Sequence, residues 1–174
     1  MARISASHAK KLFVQGYPVR LISTTGYSAL GYNSAALRYF GHDEQVSAMR
    51  KAPESARARM WREFYAATDP NTVTPENEAL NQYFSRVNAA NQRFKDEGIP
   101  GWRTDRGEVF ITLGPPDESV ESTPGTSSRI IRWTYLTYRL EIYFQDETGF
   151  GRLRLTPGSR AEYERILSRV RRQG

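Results

Sequence analysis

The chain has 174 residues, 39% hydrophobic and 25% charged, enough apolar material for one ordinary core without covalent staples. With no cysteine and only His8 and His42, it excludes disulfide scaffolds, Cys-ligated zinc, iron–sulfur clusters and thiol catalysis, and leaves little for a Ser-His-Asp triad or a multi-histidine metal centre. The net charge of +6 rests on 21 Arg against 4 Lys, which favours anionic partners: nucleic acid, a lipid headgroup layer or an acidic protein face.

Residues 1–41 carry glycines at 16, 26, 31 and 41 and aromatic residues at Phe13, Tyr17, Tyr27, Tyr32, Tyr39 and Phe40, with no sustained helical or alternating period. This zone reads as an extended docking arm, in which a short helix over Asn33–Tyr39 closes no core, and residues 42–174 as the domain that follows it. The uncharged stretch from Leu21 to Leu37 is too rich in Ser, Thr and Asn to span a bilayer. No apolar leader follows Lys10 and Lys11, and a cytoplasmic location is the expectation.

A helical zone comes next. Asp43 is placed to cap a short helix to Lys51, and Pro53 sits at the first position of a second helix whose Met60, Trp61, Phe64 and Tyr65 form one apolar stripe. Thr74-Pro75-Glu76-Asn77-Glu78 reads as a helix start, with Thr74 as N-cap. Leu80, Tyr83, Phe84, Val87, Ala90, Asn91 and Phe94 keep helical spacing until Gly98 and Pro100.

The period then changes to two. Val109, Ile111 and Leu113 alternate with Glu108, Phe110 and Thr112, predicting a strand that Gly114-Pro115-Pro116-Asp117 breaks. Ile131, Trp133 and Tyr135 predict a second strand, Leu140, Ile142 and Phe144 a third, and Leu153 with Leu155 a fourth. Ser159 is read as the cap of a last helix bearing Arg160, Arg165, Arg169, Arg171 and Arg172. The predicted fold is α+β: an extended N-terminal arm, a helical segment, then a four-strand antiparallel meander with a C-terminal helix. Its predicted core contains Trp61, Phe64, Phe84, Val87, Trp102, Val109, Ile111, Trp133, Ile142 and Phe144.

Gly101-Trp102-Arg103-Thr104-Asp105-Arg106-Gly107, followed by Gly114-Pro115-Pro116-Asp117, resembles the bacterial GWxTD domain family. Tyr83-Phe84 through Phe94 is similar to the family's helical lead-in, and Trp133-Thr134-Tyr135 with Phe144-Gln145-Asp146 and Gly149-Phe150-Gly151 to its sheet, so that the resemblance covers about residues 55–156. It implies a shared domain and assigns no activity. Many members are longer exported proteins, whereas here a leader is not evident and the arm lies outside the resemblance.

Two readings of the motif compete. In the structural one, Gly101 and Gly107 allow close approach, Trp102 pins a helix and Asp105 ties a loop, with Thr104, Arg106, Pro115, Pro116 and Asp117 completing the connection. In the other, Asp105, Arg106, Asp117 and Asp146 meet in a polar cleft, where Asp105, Asp117 and Asp146 would serve a carboxylate-metal hydrolase. No nucleophile–base pair and no Gly-rich phosphate loop is present, so no catalytic residue, metal ligand or cofactor is expected. The expected function is that of a non-catalytic structural subunit docked by its arm on protein subunits of a larger assembly. The basic charge suits the anionic cytoplasmic face of a membrane complex, a photosynthetic reaction-centre and antenna complex being one such assembly. The alternative is nucleic-acid binding by the arginine-rich face of the last helix.

Overall fold

The computed structural model describes residues 37–74, 76–95, 98–123 and 129–173, the last three without their side chains. The chain divides into two compact units, Met1–Asn88 and Ala89–Gly174. The division falls within one helix, Glu78–Arg93.

In the first unit a 3-10 turn, Leu37–Tyr39, precedes α1 (Asp43–Lys51) and α2 (Glu54–Ala67). Asp43 and Glu44 in the first turn of α1, with Arg50 and Lys51 in its last, match the helix dipole at both ends. The N-cap of α1 is His42 rather than Asp43, and it adopts a left-handed conformation (φ 56°). Arg57 Nε donates to Ala52 O at 2.7 Å and ties the short α1–α2 connection.

Leu37 is fully buried, and the Phe40 ring meets Phe64 at 6.0 Å and Tyr83 at 5.0 Å, edge to face. Tyr39 and Phe40 are half-buried. At the end of the expected docking arm, Leu37 thus enters the core of this unit and Phe40 packs its ring on that core. The predicted arm residues Phe13, Tyr17, Tyr27 and Tyr32 lie outside the described residues. Burial pushes the Tyr83 phenol well above its ordinary range.

The third helix, α3 (Glu78–Arg93), starts later than Thr74. Its cap is Asn77, which is fully buried. Asn77 Oδ1 accepts from Leu80 N at 2.8 Å; Nδ2 donates to Tyr65 O at 2.7 Å and to Thr68 Oγ1 at 3.0 Å; and the backbone N–H donates to the Tyr65 hydroxyl at 2.7 Å. One side chain thus starts α3 and binds it to the end of α2. Asn77→Ala removes a cap and leaves the Tyr65 carbonyl without this donor, so urea denaturation should show a loss of about 2–3 kcal/mol. Thr74→Ala, at an exposed site whose hydroxyl reaches Glu78 Oε1, should stay within about 0.5 kcal/mol of the parent.

In the second unit, a 3-10 turn, Gly101–Arg103, leads into α4 (Asp105–Leu113), and four strands follow: β1 (Glu118–Ser122), β2 (Arg129–Tyr135), β3 (Leu140–Asp146) and β4 (Arg154–Leu155). They form an antiparallel meander in the order β1-β2-β3-β4. The fold is α+β, as the order of periods requires. The first strand, however, is Glu118–Ser122, and the Val109–Leu113 segment is helical. Val109, Phe110, Ile111 and Leu113 are all buried, so α4 is apolar around most of its circumference and its sequence carries no one-sided stripe.

Ile131 faces Phe144, Trp133 faces Ile142 and Tyr135 faces Leu140 across β2 and β3, and these six side chains are buried on one face of the sheet. Phe94 completes that layer, 5.3 Å from Phe110 and 5.4 Å from Trp133. The last helix, α5 (Pro157–Gln173), has Pro157 at its first position and Thr156 before it as cap, its Oγ1 accepting from Ser159 N at 3.4 Å. Ser159 is inside the first turn, where its buried hydroxyl accepts from Tyr143 N at 2.8 Å. All ten predicted core residues are buried. Among the described residues no helix is long and apolar enough to cross a membrane.

Candidate functional site

The Gly-Trp-x-Thr-Asp segment joins α3 to α4, and each fixed letter has a contact. A Cβ on Gly101 would lie 2.0 Å from Ala90 O and 2.8 Å from Asn91 Cα, so the turn rests directly on the last turns of α3. Asn91 Oδ1 accepts from Trp102 N at 3.1 Å and holds it there. Gly107, in the first turn of α4, approaches Gly101 in the same way: a Cβ would lie 1.9 Å from Gly101 O. Three backbone segments therefore stack with only hydrogen between them, a packing that side chains would prevent.

Thr104 is the N-cap of α4. Its hydroxyl accepts from Gly107 N at 3.1 Å and donates to Gly101 O at 2.8 Å, so one atom closes both the turn and the helix start. Trp102 is buried, while Arg103 is exposed and lays its guanidinium 5.3 Å over the Trp102 ring. Arg106 lies over Phe94 at 5.3 Å.

Asp105 carries the motif to the far end of the chain. Its Oδ2 accepts from Leu155 N at 2.8 Å, which pins β4 to the start of α4, and its Oδ1 faces Arg160 Nη2 at 3.1 Å and Arg154 Nη1 at 3.6 Å. Arg160 Nη1 reaches Glu108 Oε2 at 3.2 Å. Burial alone would lower the Arg160 guanidinium, but the charges of Glu108 and Asp105 outweigh it and hold it higher. The Tyr163 hydroxyl lies 3.0 Å from Thr112 Oγ1 and 3.5 Å from Glu108 Oε1. Asp105, Glu108, Thr112, Arg154, Arg160 and Tyr163 thus form a polar seam binding α4 to β4 and α5. Sequence reasoning reached Asp105 alone, because its partners lie about 50 residues away with no local spacing to announce them.

The GWxTD domain matches residues 25–151, nearly three quarters of the chain. The chain belongs to the GWxTD domain family. The match begins well before residue 55 and includes the last part of the expected arm. No curated protein and no solved structure matches the chain. In this GWxTD domain, the letter that the family's name leaves open corresponds to Arg103, which is exposed, whereas Gly101, Trp102, Thr104 and Asp105 are buried.

The carboxylates of the competing cleft reading are not brought together. Asp117 Oδ2 accepts from Leu136 N at 2.7 Å and its own N–H donates to Thr134 O at 2.9 Å, which places it beside the C-terminal end of β2. Asp146 pairs in register with Arg129 at the other end of β2, about 20 Å away along the strand at ordinary strand rise. Asp105 is held at the start of α4. Among the described residues no group of three or more His, Asp or Glu is arranged to hold a metal ion. Gly114 (φ 88°) ends α4, its carbonyl accepting from the Tyr135 hydroxyl at 3.0 Å, and Pro115 and Pro116 then lead the chain into β1.

Asp146 organises a different feature. Its Oδ1 accepts from Thr148 N (3.2 Å), Thr148 Oγ1 (3.1 Å) and Gly149 N (3.0 Å), and its Oδ2 from Gly151 N (2.6 Å). Desolvation pushes this carboxyl up, but the bonds from Gly151, Thr148 and Gly149 outweigh it and hold it below the usual carboxylate value. With Gly149 (φ 73°) and Gly151 (φ 82°) on either side, Phe150 is left 79% exposed. The arginine face of α5 is partly neutralised: Arg160 is paired as above and Arg165 pairs with Glu162. Arg169 is exposed, and the side chains of Arg171 and Arg172 lie outside the described residues.

Proposed function

We propose that this GWxTD domain is a non-catalytic accessory subunit that binds a protein surface of a larger assembly, through the aromatic residues of positions 1–36 and through Phe150. The observation that carries this reading is the Asp146-held loop. A large apolar ring standing in water costs free energy, and holding it with four hydrogen bonds removes the entropy that an interface anchor would otherwise lose on binding. The motif residues themselves are engaged in internal contacts, which supports a scaffolding role for the name-giving segment of the domain and is in keeping with recognition through other residues.

The net charge of +6 favours an acidic partner surface, and the cytoplasmic face of a membrane complex has that character. The test is made in the source cell, with tagged chains replacing the natural one. A chain lacking residues 1–36, which keeps Leu37 and Phe40, should be recovered folded but free of the assembly. Phe150→Ser should weaken association about tenfold or more, as loss of a central aromatic anchor does. Full retention of both variants in the assembly overturns the proposal.

A further inference from the structure

We infer that β1 is a self-association edge, at which two copies of this chain pair antiparallel about a two-fold axis through Val120. Among the described residues, strand β1 is at the border of the sheet and pairs with β2 alone. All five of its residues are exposed, and among the described residues no strand pairs with its outer edge. An open edge of this kind is a template for another strand unless something blunts it. Proline, glycine and lysine are absent from Glu118–Ser122. Its two carboxylates, the remaining guards, are engaged from the neighbouring strand: Arg129 Nε meets Glu121 Oε1 at 2.5 Å, and Arg132 Nη2 meets Glu118 Oε2 at 3.3 Å. The hydrogen bond from Arg129 holds the Glu121 carboxyl below its usual value, in keeping with that neutralisation.

The occupant follows from the sequence of the strand, Glu-Ser-Val-Glu-Ser. In an antiparallel pairing centred on Val120, Glu118 faces Ser122 of the second copy and Ser119 faces Glu121. Val120, 40% exposed, then faces its own equivalent. No carboxylate stands directly opposite another, and the central contact is apolar. Shifting the register by two residues centres the pair on Glu121, which opposes two carboxylates directly, or on Ser119, which sets Asp117 opposite Glu121. The two-fold axis stands perpendicular to the sheet, so the result is one continuous eight-stranded sheet whose buried faces lie on the same side. Five residues on each side bury less area than a permanent dimer needs, so the association is weak and concentration-dependent.

The full chain is examined by sedimentation velocity over about a hundredfold range of concentration, with two pairs of variants at exposed positions. Ser119→Glu with Ser122→Glu sets four carboxylate pairs opposite each other and should weaken the dimer about tenfold or more; Ser119→Lys with Ser122→Lys should tighten it by a similar factor. Because the chain has no cysteine, Val120→Cys should cross-link to a dimer under mild oxidation at least about tenfold faster than Val73→Cys, which is 91% exposed in the other unit. A chain that is monomeric throughout the range, charge variants that leave the equilibrium unmoved, or equal cross-linking of the two cysteine variants overturns the inference.

Discussion

Gly101→Ala should destabilise the second unit by about 3 kcal/mol or more, because the added methyl has nowhere to go. The atoms it meets at 2.0, 2.7 and 2.8 Å are Ala90 O, Ala90 C and Asn91 Cα, all backbone in the last turns of α3. A flexible side chain could swing away; a helix backbone moves only by giving up its own bonds, here the one from Phe94 N to Ala90 O at 2.9 Å. Moving the turn instead would pull Trp102 N from Asn91 Oδ1 and Thr104 from Gly101 O. Gly158→Ala is the control. That glycine sits in the first turn of α5 with nothing within 4 Å of its missing Cβ, and the same substitution there should raise stability by up to about 0.5–1 kcal/mol. Chemical denaturation of the two variants side by side separates a packing requirement at Gly101 from a general effect of glycine removal.

Trp133→Ala should cost about 3–5 kcal/mol and lower the melting temperature by roughly 10 °C. Trp133 is 3% exposed at the centre of β2, with Phe144 4.8 Å and Phe94 5.4 Å from its ring. Phe94 is in turn 5.3 Å from Phe110 of α4, and Arg93 lies over both of these rings at 5.7 and 5.4 Å. Removing the indole therefore leaves a hole bordered by sheet and helices at once, which no single rotamer change can fill. An unchanged melting temperature would mean that the buried face of the sheet has been assigned to the wrong side.

The strands β2 and β3 were legible because each has one buried and one wet face, so Ile131, Trp133, Tyr135, Leu140, Ile142 and Phe144 alternate with polar residues. Two elements were not legible, for opposite reasons. Helix α4 is buried on nearly every side, and a short apolar run with alternating polar residues has the look of a strand; only Thr104 before it and Gly114 after it mark it as a helix. Strand β1 is exposed on both faces, so Glu118–Ser122 shows no hydrophobic period at all.

The start of α3 was misplaced because Thr74 and Asn77 are both good caps, and the choice is made by Tyr65 and Thr68, which bury Asn77 from another helix. For the site, Gly101, Trp102, Thr104 and Asp105 were readable as a clasp from residue type alone. The polar seam from Asp105 to Arg160 and Tyr163 was not, since it is set by the meander that returns the chain to α4.

The loop that presents Phe150 also determines how that surface answers to acid. A carboxyl held below its ordinary value stabilises the folded loop at every pH above the unfolded carboxylate value of about 3.9, and that contribution fades only as pH falls toward and through the folded one. Asp146 is thus ionised, and the loop locked, throughout the range in which a histidine would change its charge. The presentation of Phe150 is constitutive with respect to acidity. Amide exchange at Gly149 and Gly151, corrected for intrinsic rates, should accordingly show the same protection at pH 5 and pH 8.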